Sequence, residues 1–132
     1  MANATDVPVS TWSGGITMSG NCLPVYGGIV LDMKRMNKII EVDTENLTVT
    51  VQAGTTMDKV YREVKKHGYF FTHHPESAVS STIGGALSCY GVSVFSAKYG
   101  CAYDQVLGLE VVLGTGDVIR VGGKKLCFCA EP

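Results

Sequence analysis

Polar and apolar positions alternate most regularly between residues 47 and 53, where Leu47, Val49, Val51 and Ala53 interleave with Thr48, Thr50 and Gln52. A period of two belongs to a half-buried strand, with one face packed and the other wet or turned to a ligand. The run Ile39 to Val42 is also β-prone, and Asp43-Thr44-Glu45-Asn46 between the two supplies turn chemistry, so the pair predicts a hairpin. The period then changes. Met57, Val60, Tyr61 and Val64 recur at helical spacing and predict an amphipathic helix from about Met57 to Lys66. Thr55 or Thr56 can cap it, Asp58 and Arg62 can pair on its outer face, and Gly68 can stop it. This helix is expected to pack on the sheet. Shorter signals predict a strand at Val7 to Val9, a buried strand at Ile29 to Leu31, a strand at Tyr69 to Phe71 and a helix at Ala86 to Tyr90. A second hairpin is predicted from Val106 to Leu113 and Val118 to Val121, around Gly114-Thr115-Gly116-Asp117. Short strands and hairpins with a few helices make an α+β chain.

Two segments break these patterns with small residues. The first is Thr11-Trp12-Ser13-Gly14-Gly15-Ile16-Thr17-Met18-Ser19-Gly20, and the second runs from Pro75-Glu76-Ser77 through Ser80-Ser81-Thr82-Ile83-Gly84-Gly85. Glycine adds no Cβ and takes φ > 0, so such loops can bring backbone N–H groups close to an oxyanion. Either loop alone is ordinary turn chemistry. The first follows an apolar strand, and the second leads into a helix whose N-terminus could face an anion. Together they point to one extended phosphate-bearing ligand, with the helix 57–66 holding the loops apart and both loops at one sheet edge.

Around these loops lie Gly27 to Asp43, Leu47 to Gly54, Thr82-Ile83-Gly84-Gly85, Tyr99-Gly100, Asp104 and Val106 to Leu113. This series resembles the FAD-binding domain of FAD-linked oxidases, of the vanillyl-alcohol oxidase and p-cresol methylhydroxylase type, and within it the branch of D-lactate and glycolate dehydrogenases. The resemblance covers roughly residues 7 to 123. It implies a partial FAD-binding domain over residues 1–123 and a divergent C-terminal tail over 124–132. It also implies an FAD-dependent oxidoreductase acting on a 2-hydroxy acid, inactive alone because the substrate domain and the rest of the flavin domain are missing. A complementary chain carrying those parts is one implied partner. A non-catalytic remnant that associates with its own copies, as a homo-oligomer, is the alternative. A fragment of another enzyme of the superfamily is a third reading, such as the reductase that makes UDP-N-acetylmuramate or an alkyl-glycerone-phosphate synthase.

By position, the resemblance gives pyrophosphate binding to Thr11, Trp12, Ser13, Gly14, Gly15, Ile16 and Thr17. Pro75, Glu76, Ser77, Ser81, Thr82, Gly84 and Gly85 fall beside the flavin and ribityl chain. Cys89 and Gly91 touch the cofactor again, and Val106 lies toward the adenine end. Family members carry Gly where this chain has Ser13 and Thr where it has Ile16, which implies weaker binding than the family norm. Some relatives attach FAD through a histidine in the first loop. None stands between Thr11 and Gly20 here, and no cysteine lies between His74 and Gly85, so FAD is expected to be non-covalent. The catalytic histidines and substrate arginine of the resembled enzymes fall in the missing part, and no catalytic residue is nominated. Asp104 reads equally as a turn residue or a functional one.

Composition narrows the picture without redirecting it. The chain has 132 residues, one domain at most, and its 45% apolar content and mean hydropathy of +0.17 favour a folded chain. A net charge of −1 and a pI near 6.3 leave no footprint for nucleic acid, and Lys34, Arg35 and Lys38 read as a solvated face. No run is long and apolar enough for a transmembrane segment and no signal peptide is evident, so a cytosolic location is expected. Five irregularly spaced cysteines fit neither a disulfide framework nor zinc, and read as free thiols. His73 and His74 are adjacent, so on a strand they point to opposite faces and cannot chelate one ion. These two and His67 read as structural or surface residues.

Overall fold

The computed structural model describes residues 2–123. Predicted features of the 124–132 tail, including Cys127 and Cys129, lie outside the described residues.

Three two-stranded sheets organise the described residues. β1 (Val9–Trp12) pairs in parallel with β2 (Ile29–Asp32), Val9 opposite Ile29 and Trp12 opposite Asp32. β3 (Ile39–Asp43) and β4 (Thr48–Val51) form the first antiparallel hairpin, with the Asp43 carboxylate accepting from the backbone N–H groups of Glu45 and Asn46 to close the turn. β5 (Gly108–Val112) and β6 (Val118–Gly122) form the second. Between the hairpins lie α1 (Met57–Lys66), α2 (Ile83–Ser88) and α3 (Ser96–Tyr99). The mixed helix-and-strand content is the α+β fold the pattern predicts.

α1 spans the residues its periodicity marks. Thr56 caps it by accepting from the Lys59 N–H, Met57, Val60 and Val64 are its buried face, and Asp58 pairs with Arg62 at 2.9 Å on the outside. Gly68, at φ +82°, turns the chain out of the helix as its N–H donates to the Lys65 carbonyl. The core is small: these three residues with Ala78, Leu87 and Ala102, joined by buried Thr55, His73 and Thr82. No helix among the described residues is long and apolar enough to cross a membrane.

Several expectations need correction. The first strand begins at Val9, where the apolar run ends, so Thr11 and Trp12 are strand residues rather than loop. β2 is exposed, with Ile29, Val30 and Leu31 each about half accessible, because only β1 covers it among the described residues. Leu47 lies outside its strand, in the left-handed region at φ 54°. Tyr69 to Phe71 form no strand. The Phe70 ring packs on other aromatic rings instead, meeting Phe95 edge-on at 5.0 Å and Tyr61 at 6.2 Å. α2 starts three residues before Ala86, at Ile83, because the Thr82 hydroxyl accepts from the Gly85 N–H and caps it there.

Candidate functional site

The two small-residue loops meet. The hydroxyls of Ser13 and Thr82 share a hydrogen bond, and Gly14 lies so close to the second loop that a Cβ there would stand 2.2 Å from the Ser80 carbonyl oxygen. α1 therefore does not hold the loops apart. It supports the second one from behind, its Met57 and Asp58 N–H groups donating to the Ser81 and Ala78 carbonyls. Gly15, at φ +67°, rests over the Trp12 ring, which a Cβ would meet at 2.5 Å. On the far side Gly84 backs onto Ala53, whose Cβ a side chain at 84 would meet at 2.8 Å.

Between the loops opens a cavity of about 540 Å³. Thr11, Ser13, Gly14, Gly15, Ile16 and Thr17 line it from the first loop, and Pro75, Ser77, Ser81, Thr82, Gly84 and Gly85 from the second, with Cys89 and Gly91 closing one side. Three predicted residues stand elsewhere. Trp12 lies beneath the first loop, Glu76 is off the cavity wall, and Val106 borders a neighbouring cavity of about 530 Å³ bounded by β4, α2 and the β5–β6 hairpin. Residues outside the predicted set also line the loop cavity, among them Asn21, Cys22, Ala53 and His73. Ala53 could have been found from its place at the end of the alternating strand. Asn21 and Cys22 carry no pattern of their own.

The loops differ in what they offer a ligand. Among the described residues, the backbone N–H groups of Gly14, Gly15, Ile16 and Thr17 donate to no protein acceptor. The second loop and the start of α2 are already engaged: Ile83 N–H donates to the Thr55 carbonyl, Gly84 N–H to that of Ala53, and Gly85 N–H to the Thr82 hydroxyl. The expected anion seat at that helix N-terminus is thus filled by the protein itself. Among the described residues, no Lys, Arg, Asp or Glu lines the cavity. Its polar capacity consists of unpaired amides, of hydroxyls on Thr11, Ser13, Thr17, Ser77, Ser81, Thr82 and Ser88, and of the Asn21 and His73 side chains, so an anion there would be met by neutral dipoles.

His73 is 2% exposed, and neither of its ring nitrogens has a hydrogen-bond partner among the described residues. Burial pushes its pKa below the ordinary histidine value. His74 packs instead against the Tyr61 ring at 4.7 Å. Asp104 accepts from the Cys101 N–H at 2.7 Å and so holds the turn after Gly100. Cys22, Cys89 and Cys101 are free thiols, and no His, Cys, Asp and Glu cluster among the described residues could hold a metal ion.

This arrangement agrees with what related proteins share. A family model described as FAD binding domain matches residues 1–122. The chain is 44% identical over 118 residues to the glycolate oxidase subunit GlcD of Bacillus subtilis, covering 89% of this chain and 25% of that protein. It is 37% identical over 125 residues to a D-lactate dehydrogenase of Archaeoglobus fulgidus, covering 95% of this chain and 28% of that one. It thus spans about a quarter of the length of these curated relatives. Among solved structures, p-cresol methylhydroxylase superposes with a TM-score of 0.77 at 32% identity, over 92% of this chain and 24% of that enzyme. The 6-hydroxy-D-nicotine oxidase of Arthrobacter nicotinovorans does so with a TM-score of 0.79 at 31% identity, over 92% of this chain and 26% of that enzyme. With its two loops joined around one cavity, and with this agreement along its length, the chain belongs to the FAD binding domain family of FAD-linked oxidoreductases.

Proposed function

We propose that this chain is the FAD-binding part of an FAD-dependent oxidoreductase acting on a 2-hydroxy acid such as D-lactate or glycolate. It holds FAD without a covalent bond and is inactive alone. The observation that carries this reading is the row of free amides from Gly14 to Thr17, set across from Ser77, Ser81 and Thr82 in one uncharged cavity. A diphosphate needs several donors and little steric bulk, and that row offers four unpaired amides, two of them on glycines, with Ile16 as its bulkiest member. The glycines that approach Ser80 and Ala53 leave no room for side chains, so the cradle keeps its shape. Bound FAD would supply the redox chemistry, and these residues would bind and orient it. The substrate class rests on the names of the relatives, a glycolate oxidase subunit and a D-lactate dehydrogenase.

Flavin fluorescence quenching on titration of the purified chain tests FAD binding. Saturable binding supports the reading, and none at micromolar chain, even with a polypeptide completing the domain, overturns it. Denaturing the loaded chain and filtering it tests the mode of attachment: all flavin passes the filter when the bond is non-covalent. D-lactate and glycolate should reduce the flavin only when the complementary polypeptide is present.

The exposed apolar face of β2 favours a second reading, a chain that associates with its own copies. Sedimentation across a range of concentrations separates the two. A monomer that binds FAD excludes self-association, and a dimer that binds none favours it.

A further inference from the structure

We infer that His73 is an additional FAD-binding residue, its imidazole bordering the loop cavity with both ring nitrogens unpaired and hydrogen-bonding a polar group of bound FAD. This inference rests on the FAD reading above.

His73 is one of three residues, with Met57 and Ala86, that border both cavities. The other two are apolar, so His73 is the polar group in that shared wall. Its neighbours in sequence do not face the loop cavity. The Thr72 hydroxyl donates to Gln105 at 2.6 Å; the His74 Nε2 is also buried and unpaired, but its ring packs on Tyr61 and borders neither cavity. For His73 the described residues offer no partner, although it is 2% exposed.

A buried polar group without a partner weakens the fold, and an apolar ring of similar size would serve the core better. On this inference the partner of the imidazole is a group from outside the chain, because His73, unlike the unpaired His74 Nε2, borders the loop cavity. A neutral imidazole donates from one nitrogen and accepts at the other, and its burial keeps it in that form. Such a pair matches a dinucleotide, whose phosphates and carbonyls accept and whose hydroxyls donate. The loop cavity is where those groups would lie, and Thr82, Gly84, Gly85 and Ala86 line the same wall region.

The test compares the whole chain with His73→Phe and His73→Gln. Apo stability is read by urea unfolding, FAD affinity by flavin fluorescence, and the His73 ring by its nitrogen resonances with and without FAD. The expected result is that H73F folds at least as stably as the wild type yet binds FAD about tenfold more weakly, in keeping with the loss of one buried hydrogen bond. H73Q, which keeps a donor and an acceptor, recovers part of that loss, and the wild-type ring resonances shift as FAD saturates. If H73F destabilises the chain, H73Q and the resonances decide. Wild-type affinity in folded H73F, H73Q no tighter than H73F, or ring resonances that do not move at saturation overturns the assignment of His73 and leaves the FAD reading standing. A wild-type chain with no saturable FAD binding overturns both.

Discussion

Ser13 and Thr82 stand 69 residues apart and share a hydrogen bond, so one side chain joins the first loop to the second. The same Thr82 oxygen accepts from the Gly85 N–H at 3.2 Å and caps α2. Thr82→Val keeps the shape and removes both bonds. It should lower unfolding stability by about 1–2 kcal/mol, the usual cost of a lost cap and a lost buried hydrogen bond. FAD affinity should fall as the loops separate, and Thr82→Ser should recover most of both. Urea unfolding and flavin titration of the two variants check this.

The glycines make a sharper comparison, because their surroundings differ. A Cβ at Gly14 would stand 2.2 Å from the Ser80 carbonyl oxygen, whereas one at Gly114 in the β5–β6 turn would meet nothing within 4 Å. Gly14→Ala must push the loops apart, and it should abolish measurable FAD binding and cost about 1–3 kcal/mol of stability. Gly114→Ala should leave FAD affinity unchanged and stability within about 1 kcal/mol of the wild type. Equal effects from the two would contradict the close approach of the loops.

The elements that the sequence predicts well are those with local causes. α1 carries its own cap in Thr56, its own stop in Gly68 and a complete apolar face at 57, 60 and 64. The β3–β4 turn carries Asp43, whose carboxylate closes it. The misplaced elements depend on distant partners. α2 begins at Ile83 because Thr55 and Ala53 receive its first amides, and the sequence around Gly84-Gly85 reads as loop. Ile29 to Leu31 look like a buried strand by composition, and composition cannot say what covers it. Tyr69 to Phe71 suit a strand by propensity, but Phe70 finds aromatic partners in α1 and before α3. For the site, both loops were legible as motifs. Their direct contact was not, nor was His73, because nothing in a His-His-Pro sequence marks which ring borders the cavity.

Stability should depend on pH through His73. Burial holds its folded pKa below the ordinary value of 6.5, so between the two values the unfolded chain binds a proton that the folded chain does not. That difference favours unfolding as pH falls. The contribution is intact above about pH 6.5 and is lost as pH drops through that value toward the folded pKa, by at most about 1.4 kcal/mol per pH unit. Urea unfolding of the wild type at mildly acidic and neutral pH should show this loss. His73→Phe should flatten the dependence over the same window, and an unchanged slope in that variant would assign the pH effect to another group.

FAD affinity should depend only weakly on salt. A phosphate site built on lysine or arginine loses affinity as ions screen the attraction, since the screening length shrinks from about 14 Å to about 4 Å between roughly 0.05 M and 0.5 M salt. Among the described residues no charged side chain lines the cavity, and under the proposed function its phosphate donors would be the amides of Gly14 to Thr17 and nearby hydroxyls. Hydrogen bonds from neutral dipoles act at contact distance and escape most of that screening. The dissociation constant measured by flavin quenching should therefore change by less than about threefold across that range. A rise of tenfold or more would mean that a basic side chain reaches the diphosphate. Lys34, Arg35 and Lys38, all exposed, would then be the first residues to replace, one at a time, with the salt series repeated on each.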